Sequence, residues 1–103
     1  VIVASDEMYE KLIYEGTFTS AAAVSQDMYE RTVTINGLSK SVAMTGWRFG
    51  YMAAHNTELI KATKKLQGQS TSNINSITQM AAIVALDGKA DSEIEMMRVQ
   101  FKA

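Results

Sequence analysis

The chain has 103 residues, of which 47% are hydrophobic and 20% are charged, with a formal net charge of -1. These values are typical of a globular domain, and the balanced charge gives no reason to expect a nucleic acid or an acidic membrane surface as a partner. There is no cysteine and only one histidine, His55, which excludes disulfides, thiolate zinc sites and histidine-based metal clusters. The apolar runs are far shorter than a bilayer span. We therefore expect a cytoplasmic protein that has no metal site and does not cross a membrane.

The N-terminal part of the chain opens inside an apolar run. Val1–Ser5 is rich in β-branched residues and predicts a short buried strand. Met8–Tyr14 predicts one or two helical turns that end at Gly16, and Ser20–Arg31 predicts a loosely helical connector. A core strand at the first residue, without an initiator methionine, leads us to expect that the chain is a fragment and that further strands lie outside it.

The middle of the chain predicts two more strands around a loop. Thr32–Ile35 alternates polar and apolar β-branched residues and stops at Asn36–Gly37, which is typical of a strand followed by a turn. A loop around Lys40 follows, and Phe49–Ala53 predicts the next strand.

The rest of the chain is helical in pattern. Asn56 or the next residue can cap a first helix, Ser72–Leu86 predicts a second that ends at Asp87–Gly88, and Ser92 with Glu95 predicts a capping box for a third. The predicted apolar faces of the first two helices comprise Leu59, Ile60, Ala62, Thr63 and Leu66, then Ile77, Met80, Ala81, Val84 and Ala85. Strands followed by helices, with long connections, favour an α/β layer arrangement.

Lys40 and Arg48 are the first candidates for chemistry. Ligands of open α/β sheets bind outside the carboxyl ends of the strands, where Lys40 is predicted to lie. A lysine there can lose its charge when it is desolvated, as a Schiff-base nucleophile must. If the strands on either side of the loop are antiparallel, Arg48 faces the same site, where its planar fork suits a phosphate. The alternatives are a solvated loop lysine and a surface ion pair.

Asp6 and Tyr9 are the next candidates. Asp6 ends the first strand, where a carboxylate can keep a pyridine nitrogen protonated. Tyr9 follows on the same face of the predicted turn, and its phenol can donate a hydrogen bond to a ring oxygen. Asp6 could instead cap the helix predicted at Met8, and Tyr9 and Trp47 could be core aromatics.

Three segments together resemble the class I/II aminotransferases, pyridoxal-phosphate-dependent enzymes of fold type I. Asn36–Gly50 is similar to their lysine-attachment motif, and the run Met44–Arg48 is most similar to aspartate-aminotransferase-like members. Ser5–Glu10 resembles the strand-end aspartate with a tyrosine three residues later. Gln69–Asn73 resembles the segment that reaches the neighbouring subunit's active site. The resemblance implies an α/β fold, part of a mostly parallel sheet with flanking helices.

The resemblance also implies a site for pyridoxal 5'-phosphate. Lys40 is then the lysine that binds the cofactor covalently and shuttles the proton. Asp6 pairs with the pyridine nitrogen and Tyr9 with the 3-oxygen of the ring. Arg48 binds the phosphate, with Ser39 as a second phosphate contact.

The activity that the resemblance implies is transamination between an amino acid, such as aspartate, and a 2-oxo acid. Residues 1–103 then form the central and C-terminal part of the cofactor-binding large domain of a homodimer, and Ser72 and Asn73 contact the partner subunit. The family sheet has seven strands, and we expect one of them between Val1–Ser5 and Thr32–Leu38.

Two positions depart from the family pattern. Phe49 stands where a smaller aliphatic residue is usual, and Ile74 stands where many relatives carry proline. Neither change removes a functional group. The chain lacks the family's glycine-rich helix start, stacked aromatic ring and carboxylate-binding arginine, so we expect the 103 residues alone to be inactive.

Two other functions fit the same residues. A β-eliminating lyase on the same scaffold uses the same electron sink. Alternatively, the chain is a folding or interaction fragment without chemistry.

Overall fold

A computed structural model describes residues 1–103 and contains one three-stranded sheet, in the order β1-β2-β3. The strands are β1 (Val3–Asp6), β2 (Thr32–Gly37) and β3 (Gly50–Ala54). The helices are α1 (Gln26–Arg31), α2 (Thr57–Ser70), α3 (Ser76–Leu86) and α4 (Asp91–Lys102), with short 3-10 helices at Ala21–Ala23 and Thr45–Trp47. The three predicted strands and the α/β class are confirmed. The first strand is not buried as predicted, because its side chains are exposed or half-buried and the exposed Val1 and Ile2 lie outside it.

β1 and β2 are direct neighbours in the sheet. They pair in parallel, in a register that runs from Val3 opposite Thr32 to Asp6 opposite Ile35. The ladder continues past β1, where the backbone N–H of Glu7 donates to the carbonyl of Ile35 at 2.8 Å. The expectation of another strand between these two is therefore wrong.

β3 is the other neighbour of β2, and the end of β2 meets the start of β3. The two strands are therefore antiparallel. The N–H of Leu38 donates to the carbonyl of Phe49 at 3.4 Å. This part of the sheet is therefore mixed, with one parallel and one antiparallel pairing. A connection between antiparallel neighbours can be short, and here it is the loop that carries Lys40.

Gly37 lies where the two antiparallel strands come closest. A Cβ atom there would lie 2.7 Å from the carbonyl oxygen of Phe49 and 3.2 Å from the Cα of Gly50. Both neighbours are backbone atoms and cannot rotate away. The loop therefore starts at a position that only glycine fills without moving the strands.

Gly37→Ala is expected to destabilise the protein by about 1–3 kcal/mol, the usual cost of overpacking. Gly46→Ala is the matched control within the same loop, because a Cβ at Gly46 meets no atom within 4 Å. Thermal or urea unfolding of the two variants measures the difference. Equal stability of the two variants would contradict the proposed close approach.

The chain divides into two compact units. The first comprises Val1–Glu7, Thr19–Asn36 and Tyr51–Asn73, and its buried residues include Val33, Thr32 and Glu7. The second comprises Met8–Phe18, Gly37–Gly50 and Ile74–Ala103. Its core consists of Leu38, Met44 and Ala82, with Val42, Phe49, Ala81 and Ala85 packed against them.

The helix starts show which capping predictions hold. Asn56 caps α2, since its side-chain oxygen accepts from the N–H of Leu59 at 3.1 Å. α3 begins at Ser76, later than predicted, because Asn75 caps it through the N–H of Thr78 at 2.9 Å. Ser72, the predicted start, has a positive φ of 65° and lies outside the helix.

Two other helix predictions hold only in part. The segment predicted as helix at Met8–Tyr14 contains only a hydrogen-bonded turn, in which the N–H of Leu12 donates to the carbonyl of Tyr9. So short an isolated segment gains too few hydrogen bonds to offset helix nucleation. α4 has Ala90 at its N-cap, and Ser92 lies inside the helix, donating to Glu93 at 2.7 Å. Its predicted capping box therefore does not form.

α3 buries a face that only partly matches the predicted one, since Ala81 and Ala85 pack against the core but the larger predicted residues do not. Thr78 and Ala82 are buried, whereas Ile77, Met80 and Val84 are exposed. Small side chains on the buried face let the helix backbone approach Leu38 and Met44 closely.

α4 is tied to the segment before Phe18 by two cations. Arg98 donates to the carbonyl of Ile13 at 3.1 Å, and Lys102 donates to the carbonyl of Tyr14 at 3.1 Å. Arg98 also makes a bidentate pair with Glu95, at 2.7 Å for each bond. The bond from Arg98 lowers the pKa of Glu95, and Glu95 in turn raises the pKa of Arg98.

None of the helices has the length and apolar content needed to cross a bilayer. No group of three or more His, Cys, Asp or Glu side chains is arranged to hold a metal ion.

Candidate active site

Lys40 lies on the exposed side of the turn that follows β2, close to Tyr9. Its Nζ atom is 6.0 Å from the centroid of the Tyr9 ring, at the outer limit of a cation–π contact. Both side chains are exposed, Tyr9 by 59%. The structure therefore brings together two predicted site residues that are far apart in the sequence. The exposure also corrects the core alternative for Tyr9.

The turn around Lys40 is held by the residues on either side of it. The N–H of Met44 donates to the carbonyl of Leu38 at 3.1 Å, and the N–H of Ala43 donates to the carbonyl of Lys40 at 3.3 Å. Leu38 and Met44 belong to the core of the second unit. Buried anchors on both sides therefore hold the backbone of the turn from which the exposed Lys40 side chain extends.

Arg48 ends the 3-10 helix at Thr45–Trp47 in the left-handed conformation, with φ 55° and ψ 50°. Such a conformation is unfavourable for residues with a Cβ atom, so it must be held by its surroundings. The carbonyl of Trp47 accepts from the hydroxyl of Thr78 on α3 at 3.3 Å. The Arg48 guanidinium is exposed and donates from Nη1 to the carbonyl of Thr45 at 3.0 Å.

Trp47 was predicted to be a core aromatic, but its side chain is 45% exposed. It precedes a residue in the left-handed conformation, and the buried position in this segment is taken by Met44.

Asp6 is the last residue of β1, and its side chain is exposed. The helix that it could have capped is absent, which rules out that alternative. Glu7, immediately after it, is only 6% exposed. One carboxylate oxygen of Glu7 accepts three hydrogen bonds, from Ser5 Oγ at 3.0 Å, Ser20 Oγ at 2.8 Å and the N–H of Ala21 at 3.0 Å. The backbone of Asp6 is thereby fixed on both sides.

The other predicted site residues lie in different parts of the chain. Ser39 is half-buried and belongs to the second unit, with Tyr9, Lys40 and Arg48. Ser72 and Asn73 are exposed in the connection between α2 and α3. These two residues and Asp6 belong to the first unit.

Two residues with clear structural roles were missed. Glu7 is not among the predicted candidates, yet it is a buried carboxylate with three donors. Thr45 lies within the motif Met44–Arg48 and is not a predicted candidate, yet its hydroxyl donates to the carbonyl of Ser39 and its carbonyl accepts from Arg48. The sequence signal for Thr45 was its position between Lys40, the candidate nucleophile, and Arg48, the candidate phosphate ligand.

The whole chain, residues 1–103, matches the profile of the family described as Aminotransferase class I and II. The chain belongs to the class I and II aminotransferases. The predicted family and its fold type I architecture are thus confirmed.

Relatives of known name agree with this assignment. The chain is 46% identical to the aspartate aminotransferase of Bacillus sp. (strain YM-2), over 100% of this chain and 26% of that protein. It is 43% identical to the asparagine–oxo-acid transaminase of Streptococcus mutans, over 99% of this chain and 26% of that protein. The crystal structure of the aspartate aminotransferase of Rhizobium meliloti matches with a TM-score of 0.90 and 41% identity, over 98% of this chain and 25% of that one. This aminotransferase chain thus spans about a quarter of the length of the relatives it matches.

Proposed function

We propose that this chain is the cofactor-anchoring part of a pyridoxal-phosphate-dependent aminotransferase. The complete protein transfers an amino group from an amino acid to a 2-oxo acid. One observation carries the proposal: in a chain of this family, the Lys40 amine lies on the exposed side of an anchored turn, 6.0 Å from the ring of Tyr9.

The chemistry of the available side chains fits pyridoxal 5'-phosphate. The cofactor has an aldehyde, a phosphate, a phenolic oxygen and a pyridine nitrogen. Lys40 offers an amine for the aldehyde, and Arg48 offers a guanidinium for the phosphate, with the Ser39 hydroxyl as a second donor. Tyr9 offers a hydroxyl for the phenolic oxygen, and Asp6 offers a carboxylate for the ring nitrogen. Each group of the cofactor therefore has a partner of matching chemistry.

Lys40, Asp6 and Arg48 have separate roles in the proposed mechanism. The bound cofactor supplies an electron sink for the substrate's α-carbon. Lys40 attaches the cofactor and, once released, its Nζ atom moves the proton from that carbon. Asp6 holds a proton at the ring nitrogen, and Arg48 holds the phosphate. The first amino acid leaves as its 2-oxo acid, and a second 2-oxo acid takes up the amino group, so the overall exchange balances.

The substrates and the assembly are also proposals. Two relatives are named for aspartate and for asparagine, which supports a small amino acid with a polar side chain. We propose a homodimer in which the exposed Ser72 and Asn73 contact the partner subunit. Residues 1–103 belong to the large domain in this proposal. The cytoplasmic location stays a prediction.

Product analysis of the complete protein tests this function. With aspartate and 2-oxoglutarate, we expect oxaloacetate and glutamate in equal amounts, only when pyridoxal phosphate is present. Asparagine is tested in the same way with 2-oxoglutarate, and the expected products are the 2-oxo acid of asparagine and glutamate. Release of ammonia with a cleavage product would instead identify a β-eliminating lyase. No turnover with any of these amino acids, together with no cofactor binding, would favour a role without chemistry.

A further inference from the structure

Thr45 connects the two parts of the loop that the proposed function uses. Its hydroxyl donates to the carbonyl of Ser39 at 2.7 Å. Its own carbonyl accepts from Nη1 of Arg48 at 3.0 Å. A single residue therefore contacts both the peptide that precedes Lys40 and the guanidinium of Arg48.

The bond to Ser39 controls the direction of the lysine. The carbonyl of Ser39 belongs to the peptide that joins Ser39 to Lys40, so holding this oxygen fixes the plane from which the Lys40 side chain leaves. The backbone bonds of Ala43 and Met44 hold the other side of the same turn. The Thr45 hydroxyl thus restrains the peptide bond between Ser39 and Lys40, which sets the direction in which the Lys40 side chain starts.

The bond to Arg48 controls how the guanidinium is presented. The carbonyl of Thr45 holds Nη1, which leaves Nε and Nη2 as two parallel donors on another edge of the guanidinium. Two parallel donors are the geometry that binds a phosphate in a bidentate way. An exposed arginine without such a restraint would lose more side-chain entropy when it binds.

We propose that Thr45 is a positioning residue that fixes the Lys40 amine and the Arg48 guanidinium relative to each other for one bound cofactor. The inference rests on the proposed function. Thr45 acts through its two neighbours. Small displacements matter in such sites, because an error of about 1 Å can cost on the order of a hundredfold in rate.

The test compares two substitutions at this position in the complete protein. Thr45→Val keeps the shape but removes the hydroxyl, whereas Thr45→Ser keeps the hydroxyl. We expect Thr45→Val to raise the dissociation constant of pyridoxal phosphate by about three- to tenfold, the effect of one ordinary hydrogen bond, and Thr45→Ser to restore most of the affinity. Thr57→Val, at the exposed start of α2, is the matched control and should bind as the wild type does.

A second measurement separates positioning from simple folding. Thr45→Val is combined with Arg48→Gln, and cofactor affinity is measured by titration. Thr45→Val removes the bond to Ser39 but keeps the carbonyl that accepts from Arg48. If the hydroxyl bond also positions that carbonyl for Arg48, the effect of Thr45→Val is smaller in the Arg48→Gln background than in the wild type. Fully additive effects, or equal losses in Thr45→Val and Thr45→Ser, would overturn the inference. If Thr45→Val does not fold, as judged by its melting temperature, Thr45→Ala is used in both measurements.

The outcome also distinguishes this inference from the proposed function. If the wild-type protein binds no pyridoxal phosphate, the proposed function fails, and the inference fails with it. If the wild type binds the cofactor and Thr45→Val binds it equally well, only the inference about Thr45 fails.

Discussion

Lys40→Ala is expected to abolish covalent attachment of pyridoxal phosphate in the complete protein. Reduction of the cofactor-treated wild type with borohydride should leave a pyridoxyl group on Lys40, found by mass spectrometry of the peptides. The variant should carry none. Transamination should fall by at least about 10²–10⁴-fold, the contribution of a positioned proton-transfer group.

Two further variants show whether the lysine's chemistry or its charge matters. Lys40→Arg keeps a positive charge but cannot lose it, so it should be as inactive as Lys40→Ala. Lys64→Ala removes an exposed lysine of α2 and should retain both labelling and activity. Labelling scattered over several lysines of the wild type would contradict the assignment of Lys40.

Arg48→Gln is expected to weaken the binding of pyridoxal phosphate by roughly 10- to 100-fold, because hydrogen bonds to charged groups contribute about 1.5–3 kcal/mol each. Binding of pyridoxal, which lacks the phosphate, should change little. Titrations with the two compounds measure this difference directly. Arg48→Lys should recover only part of the loss, since an ammonium group cannot form two parallel bonds.

Arg31 provides the matched control for this experiment. It is an arginine of α1 that pairs with Asp27 within its own helix. Arg31→Gln should therefore leave the affinity for both compounds unchanged. If Arg48→Gln lowers the affinity for pyridoxal phosphate and for pyridoxal equally, Arg48 supports the loop and does not contact the phosphate.

Local signals in the sequence predicted most elements well. β2 followed from its β-branched alternation and its stop at Asn36–Gly37, and α2 followed from the cap at Asn56. Both depend on interactions between residues close in sequence. The start of α3 was predicted too early because several adjacent residues can cap a helix, and the geometry at Ser72 leaves that role to Asn75.

Features that depend on contacts between residues far apart in the sequence were harder to predict from the sequence. The segment after Asp6 forms only a turn, and the contacts of the buried Glu7 with Ser5, Ser20 and Ala21 could not be predicted from any local pattern. Lys40, Arg48, Asp6 and Tyr9 were candidates from their places in the sequence, the resemblance assigned their roles, and those roles stay predictions. That Lys40 and Tyr9 lie together depends on the packing of the turn, which no local pattern encodes.

The hydrogen bonds that converge on Glu7 have a consequence for chain length. Glu7 is joined to Ser20 and Ala21, so the residues in between form a loop whose two ends are closed by one carboxylate. Gly16, within this loop, has open space around it. Lengthening such a loop costs little, about 0.6 kcal/mol for each doubling. A member of this family can therefore gain residues near Gly16 while the strand end that carries Asp6 stays in place.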